Sequence, residues 1–252
     1  MILLRAGNAS EWTGTTGNNT YLLTGSRSVL IDAGVGAPEH LDAIAHHLGP
    51  NPLELVLITH HHVDHVAGAP SLASRWPGVI VRGGGIGPTL ADGELFVAGG
   101  TRLLAIHTPG HAPDHFCFFD PETRELYCGD LARLGGTIVI PASKGGDLRR
   151  YLEALRRVRA LAPSRLLPGH GPAVDDVDEL IGEYLQHRAD REHQIVEILR
   201  RGPHRVEQIV GAIYTGLDPS VLPAAADSVL AHLIKLRDDG LVHESPAGWV
   251  AG

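Results

Sequence analysis

Short apolar runs, each closed by Gly, Pro or a His/Asp cluster, set the rhythm of this chain. Tyr21-Leu22-Leu23 and Ser28-Val29-Leu30-Ile31-Asp32 read as strands, with Thr24-Gly25-Ser26-Arg27 as the hairpin between them. Met1–Arg5 reads as a first strand rather than a leader. Pro38 opens a helix carrying Leu41, Ile44, Ala45 and Leu48 on one face, and Gly49-Pro50 stops it. A buried strand over 54–58 precedes a cluster of histidines, and a helix is expected from about Ala69 to Arg75. Strands follow near 95–97 and 102–106, and Phe116–Phe119 pairs with Glu125–Cys128 around Asp120-Pro121. Asp147 caps a helix bearing Leu148, Tyr151, Leu152, Leu155 and Val158, and Arg165-Leu166-Leu167 makes a last short strand. Strands interleaved with helices imply an α/β layered fold with the site at one rim.

From about Asp175 the composition shifts toward Arg, Glu and Leu. A long helix is expected through Leu180, Tyr184, Leu185, Ile195, Val196 and Leu199, ending at Gly202-Pro203. Val206–Ile213 and Val229–Leu236 mark two more helices, and Gly240 stops the second. Leu241–His243 and Gly248–Val250 flank Glu244–Ala247 as a hairpin wing. Three helices and a hairpin make a small winged-helix module, placing one domain at 1–186 and a second at 187–252. Such modules usually read DNA, but acidic residues outnumber basic ones here, so packing or subunit contact is the better expectation.

With 252 residues, 43% hydrophobic and 20% charged, the chain is long enough for one large and one small globular unit. No run approaches the roughly 20 apolar residues of a membrane span, so no membrane partner is expected. Cys117 and Cys128 are too few for a disulfide framework, which makes a reducing cytoplasm the default. A formal charge of −8 argues against a sequence-blind nucleic-acid coat.

The chemistry concentrates in Thr59-His60-His61-His62-Val63-Asp64-His65. Alternate side chains of an extended backbone face one way, so His60 and His62 can point at a common atom. Asp64 and His65 then continue into a turn toward Ala67-Gly68-Ala69. Thr108-Pro109-Gly110-His111, Gly129-Asp130 and Pro168-Gly169-His170-Gly171 repeat the same grammar of strand, sharp turn and donor. Neutral imidazole and carboxylate together suit zinc or a similar transition metal. His60, His62, Asp64, His65, His111, Asp130 and His170 are therefore seven candidate ligands. The loop Gly83–Pro88 has no following helix and no Lys-Ser/Thr, which rejects a phosphate cradle.

This motif set resembles the metallo-β-lactamase-fold hydrolases over roughly residues 1–186, and implies their four-layer αββα fold. The resemblance puts His60, His62 and His111 on one metal, Asp64, His65 and His170 on a second, and Asp130 across both. It implies two Zn²⁺ per chain and a metal-bridging hydroxide, with Asp64 and Asp130 available to accept its proton. The ligand set departs from true β-lactamases of this fold, which use a Cys ligand, so Cys128 reads as a buried thiol. Gly17-Asn18-Asn19-Thr20-Tyr21-Leu22, Asp114-His115 and the winged-helix tail look like the lactamase-beta-2-like subgroup. That subgroup includes an endoribonuclease of single-stranded RNA and relatives acting as thioesterases. Neither a β-CASP-sized insertion nor a glyoxalase II-type helical tail is present.

His115 is either a partner behind the ligands or a plain loop histidine. Arg133 and Lys144 follow the Asp130 loop, where each would meet an anionic substrate or simply be solvated. Trp12 either walls the pocket or packs on the core. A small acyl ester or thioester and an RNA phosphodiester both remain open as substrates. Two other classes stay in view: a mononuclear iron persulfide-type oxidoreductase of the same fold, and a non-catalytic metal-sensing DNA-binding regulator. The oligomeric state is open, with a homodimer among the alternatives.

Overall fold

The computed structural model describes residues 1–252 as two five-stranded sheets stacked face to face, helices on both outer faces, and a C-terminal module. The first sheet has the order β1 (Ile2–Arg5), β2 (Asn19–Leu23), β3 (Val29–Ile31), β4 (Leu55–Leu57), β5 (Ile80–Arg82). The second runs β10 (Arg165–Pro168), β9 (Glu125–Gly129), β8 (Phe116–Phe119), β7 (Thr101–His107), β6 (Leu95–Ala98).

The layering follows from the two-residue period of a strand. Tyr21, Leu23, Val29, Ile31, Leu55 and Leu57 turn one way and meet Phe96, Leu103, Ala105, Phe116, Phe118, Tyr127 and Leu167 of the other sheet. The alternate residues Leu22, Leu30 and Val56 turn outward under α1 (Pro38–Leu48) and α3 (Ala69–Arg75). On the far side Ile106, Cys117, Leu126, Cys128 and Leu166 lie under α4 (Leu148–Leu161) and the first half of α5 (Val177–Leu199). These four layers are the αββα arrangement expected from the sequence.

Strand direction places the site. β3 and β4 are parallel, so residues 32 and 59 leave at one rim. β9 and β10 are parallel, and β7 shares their direction because β8 is antiparallel to both β7 and β9. The chain therefore passes through His111, Asp130 and His170 just after the C-terminal ends of three co-directed strands.

Three local readings gain detail. The turn expected at Asp64 and His65 is a single helical one, α2 (Val63–Val66), whose first residue follows His62 at φ −64° and ψ 143°. The helix expected at Val229 begins earlier, as α7 (Leu222–Asp238): Pro223 fits a first turn, and the alanines after it favour helix. β5 has no counterpart in the sequence pattern, because three residues of a half-exposed edge strand carry too little alternation to register.

The tail consists of the end of α5, α6 (Val206–Ile213), α7 and a hairpin of β11 (Val242–Ser245) and β12 (Gly248–Ala251). Its own core holds Ile195, Leu199, Ile209, Val229, Leu233, Leu236 and Trp249. α5 is continuous through residue 186, contributing Leu180 and Tyr184 to the large core and Ile195 and Leu199 to the small one. No helix is long and apolar enough to cross a membrane.

His40, buried on α1, shares one hydrogen bond of 2.8 Å with Thr20 Oγ1 through Nε2. Burial lowers its pKa to about 4, below the unfolded value of 6.5. The unfolded chain therefore takes up a proton below pH 6.5 that the folded chain refuses until about pH 4, and stability falls across that window. The slope is at most about 1.4 kcal/mol per pH unit. A His40→Gln variant should lose less urea stability than the parent between pH 7 and pH 5.

Candidate metal centre

The seven candidate donors converge at the rim. His60, His62 and His111 form one group, Asp64, His65 and His170 another, and His60, His65 and Asp130 a third that joins them. In each group the donor atoms lie within 4.8 Å of one another.

In the first group His62 Nδ1 is 3.0 Å from His60 Nε2 and 2.9 Å from His111 Nε2. Hydrogen bonds behind the rings decide which nitrogens are bare. His111 Nδ1 is 2.7 Å from the Val139 carbonyl, which can only accept, so its proton is there and Nε2 keeps a lone pair. Thr59 Oγ1 donates to Asp32 Oδ2 at 3.0 Å, so it accepts from His60 Nδ1 at 3.0 Å, leaving His60 Nε2 bare as well. Nitrogens around a tetrahedral zinc at its usual bond length lie about 3.3 Å apart. The spacing here is close to that.

The second group faces the same way. His65 Nδ1 donates to Asp32 Oδ2 at 2.8 Å, which turns Nε2 to Asp64 and Asp130, each 3.5 Å away. His170 Nε2 lies 3.4 Å from Asp64 Oδ2 and 3.3 Å from Asp130 Oδ1. The carboxylate of Asp130 divides between the groups: Oδ1 faces His65 and His170, while Oδ2 is 3.5 Å from His111 Nε2.

His65 Nε2 and Asp130 Oδ1 are buried and have no hydrogen-bond partner, although each faces another acceptor. A cation between them would satisfy both, as it would the three converging imidazoles. The donor set fits a metal pair.

Electrostatics agree. Burial holds His60 and His111 below the ordinary imidazole value and takes His62 to about 4, so these rings stay neutral ligands. Burial also works against charge on His170, but Asp130 and Asp64 outweigh it and raise the ring to about 9. Burial pushes Asp64 upward, yet the bond to His170 and the charge of His65 bring it down to about 2. This half of the site holds positive charge, whether as protons or as metal.

Two glycines are required by crowding. A Cβ on Gly169 would lie 2.7 Å from His65 Cε1 and 2.9 Å from Asp130 Oδ1. One on Gly129, at φ +48°, would lie 2.8 Å from His115 Nε2.

His115 itself is completely buried, with Nδ1 2.8 Å from Thr108 Oγ1 and Nε2 accepting from the Asp130 backbone N–H at 3.1 Å. It braces the loop that carries Asp130. Arg133 turns back to the Trp12 carbonyl at 3.5 Å, and Trp12 is itself about half exposed. Lys144 stands exposed in the 3₁₀ turn Ala142–Lys144 with no ion pair.

Local pattern alone does not single out Asp32, which orders His65 and Thr59 together. It accepts from the Thr59 N–H at 2.7 Å besides its bonds to Thr59 Oγ1 and His65. Its position at the end of β3 matches the placing of the ligands, and that was the available signal. Asn18 has a partner among the ligands as well: its Nδ2 donates to Asp64 Oδ2 at 3.0 Å. Asn19 Nδ2 ties down the His170 loop through the Pro168 and Gly171 carbonyls at 2.8 and 2.9 Å.

Residues 13–97 and 80–170 match the metallo-beta-lactamase superfamily. The chain belongs to that superfamily. Residues 206–249 match the beta-lactamase associated winged helix domain. The chain is 32% identical to the lactamase-like protein aptB of Emericella nidulans, over 98% of itself and 84% of that protein. It is 31% identical to the beta-lactamase-like protein 2 homolog of Caenorhabditis elegans, covering 94% of itself and 85% of that one. It spans only 56% of the lactamase-like protein nscB of Arthroderma benhamiae, at 34% identity over 91% of this chain. Among structures, a metallo-beta-lactamase family protein from Thermus thermophilus superposes with TM-score 0.79 at 21% identity, covering 100% of this chain and 98% of that one. Another structure, of a protein in a di-iron-bound form, has TM-score 0.55 at 28% identity, covering 69% and 94%.

Asp32→Asn is the informative change here, because Asn tolerates the φ of +62° that Asp32 adopts. It removes the charge behind His65 without breaking the backbone. Zinc affinity should fall by about 10- to 100-fold, read by competition with a chelator.

Proposed function

We propose that this chain is a dinuclear zinc hydrolase acting on an ester or thioester of a small acyl compound. The division of Asp130 between the two ligand groups carries the reading, since a single ion would leave one carboxylate oxygen without purpose. His60, His62 and His111 would hold one zinc, Asp64, His65 and His170 the other, and Asp130 both.

A metal pair held there would supply Lewis acidity toward the scissile carbonyl and lower the pKa of a bound water to about 7. Asp64 and Asp130 are the carboxylates that face the cluster, and one of them takes the proton released as the water attacks. That proton would pass to the departing alkoxide or thiolate, so that acid and alcohol or thiol are the products. Asn18 holds Asp64 in place and His115 holds the Asp130 main chain, so neither carboxylate drifts as charge moves.

The acyl preference rests on apolar side chains next in sequence to the ligands: Val63 follows His62, Leu134 lies four residues past Asp130, and Trp12 has its carbonyl against Arg133, all three being exposed. Of the two cations that follow the Asp130 loop, Arg133 is turned onto a backbone carbonyl and Lys144 stands alone and exposed. An RNA-cleaving groove would need a tract of basic side chains along the backbone path. The winged-helix module, with its acidic excess, is proposed to serve packing rather than DNA binding.

Elemental analysis of the purified chain should give about two zinc per chain and little iron. Stripping with a chelator should abolish hydrolysis and zinc should restore it. Asp130→Ala should lower kcat by at least about 10²-fold. On a panel of acyl thioesters, acyl esters and a labelled single-stranded RNA oligomer, the acyl substrates should turn over. RNA cleavage alone would replace the substrate class, and a single iron with oxygen consumption would replace the reaction.

A further inference from the structure

The segment 131–140 leads from Asp130 to the 3₁₀ turn at Ala142–Lys144 without forming a strand or helix. Two side chains one turn apart on α5 hold it. The Tyr184 hydroxyl accepts from the Arg133 N–H at 3.2 Å and lies 3.0 Å from the Arg133 carbonyl and 3.2 Å from that of Gly136. Four residues on, Arg188 Nη2 donates to Thr137 Oγ1 at 2.9 Å and to the Ile138 carbonyl. The next carbonyl, of Val139, is the one that accepts from His111 Nδ1.

Arg188 is unusual in its surroundings. It is only 3% exposed, yet it has no carboxylate partner. Its contacts are a hydroxyl, a carbonyl and the ring of Tyr151, whose centroid is 5.5 Å from the guanidinium carbon. Its Nε has no partner at all. Burying a cation this way is costly, and an apolar side chain of similar volume would fill the space without that cost. What the guanidinium adds is one terminal nitrogen, Nη2, whose two N–H groups hold neighbouring residues of one irregular segment.

We propose that Arg188 is a positioning residue for the metal centre. By anchoring Thr137 and Ile138 it fixes the Val139 carbonyl, and that carbonyl fixes His111 with Nε2 bare toward His60 and His62. The proposal rests on the metal-centre reading above. It gives the C-terminal extension a part in assembling the site, since α5 continues into the tail core through Ile195 and Leu199. α7 secures the far end of the same stretch, where Asp227 accepts from the Ser143 N–H at 3.2 Å and Oγ–H at 2.8 Å.

The test uses the full chain and four variants: Arg188→Met, Arg188→Lys, Thr137→Val, and Leu199→Ala as a control for general loosening. Zinc affinity is read by competition with a chromogenic chelator. Cobalt substitution gives a visible spectrum that reports ligand geometry directly. Arg188→Met should bind zinc at least about 10-fold less tightly and show an altered cobalt spectrum. Arg188→Lys, which keeps the charge but lacks the planar terminal nitrogen placed between Thr137 and Ile138, should fall between it and the parent, and Thr137→Val should shift the spectrum the same way. Leu199→Ala should melt earlier with affinity and spectrum unchanged. If Arg188→Met does not fold, Arg188→Lys and Thr137→Val decide. Parental affinity and spectrum in the folded variants, or an equal loss in Leu199→Ala, would overturn the proposal. A parent chain that takes up no metal would instead remove the reading on which it stands.

Discussion

Imidazoles and carboxylates crowded on one another at a largely buried rim are the constraint on which the rest of this structure depends. Three imidazole nitrogens meet within hydrogen-bond distance, with the protons of His60 and His111 committed elsewhere, and two carboxylates crowd against two further rings. Left alone, such a cluster repels itself. The fold holds it together from behind, through Asp32, Thr59, Thr108, His115, Asn18 and the Val139 carbonyl. Each of these bonds fixes either which nitrogen carries the proton or where a carboxylate oxygen points.

The two stacked sheets make that arrangement possible. Strands running the same way deliver loops from distant parts of the sequence to one rim, and the alternation of side chains keeps the interior apolar right up to the point where donors begin. Ile58 is fully buried, and so is His60 two residues later, but one belongs to the core and the other to the site. A shift of one residue in β4 would exchange the two faces and scatter the ligands.

Much of this was readable in the sequence because ligands and strand ends coincide. An apolar run, then Gly or Pro, then His or Asp, announces both the element and the donor, while the pairing of the strands into two sheets came from the family resemblance. The helix caps were readable too, as at Asp147, whose side chain accepts from the Arg150 N–H at 3.0 Å. What escaped were relations through space. Asp32 looks like the polar end of any strand until His65 and Thr59 are folded onto it. Arg188 looks like one more charge on an amphipathic helix until the irregular segment it grips is in place. β5 escaped because its partner, not its composition, makes it a strand.

The continuity of α5 sets the terms on which this architecture could have been assembled from parts. A helix of 23 residues, about 35 Å long, shares its apolar stripe between two cores without a break. The module at the C-terminus is thus spliced into the larger unit rather than strung after it, with no linker at which recombination could exchange one tail for another. Swapping in a foreign tail would require matching the pitch and phase of that stripe, so inheritance of the two parts is coupled by geometry.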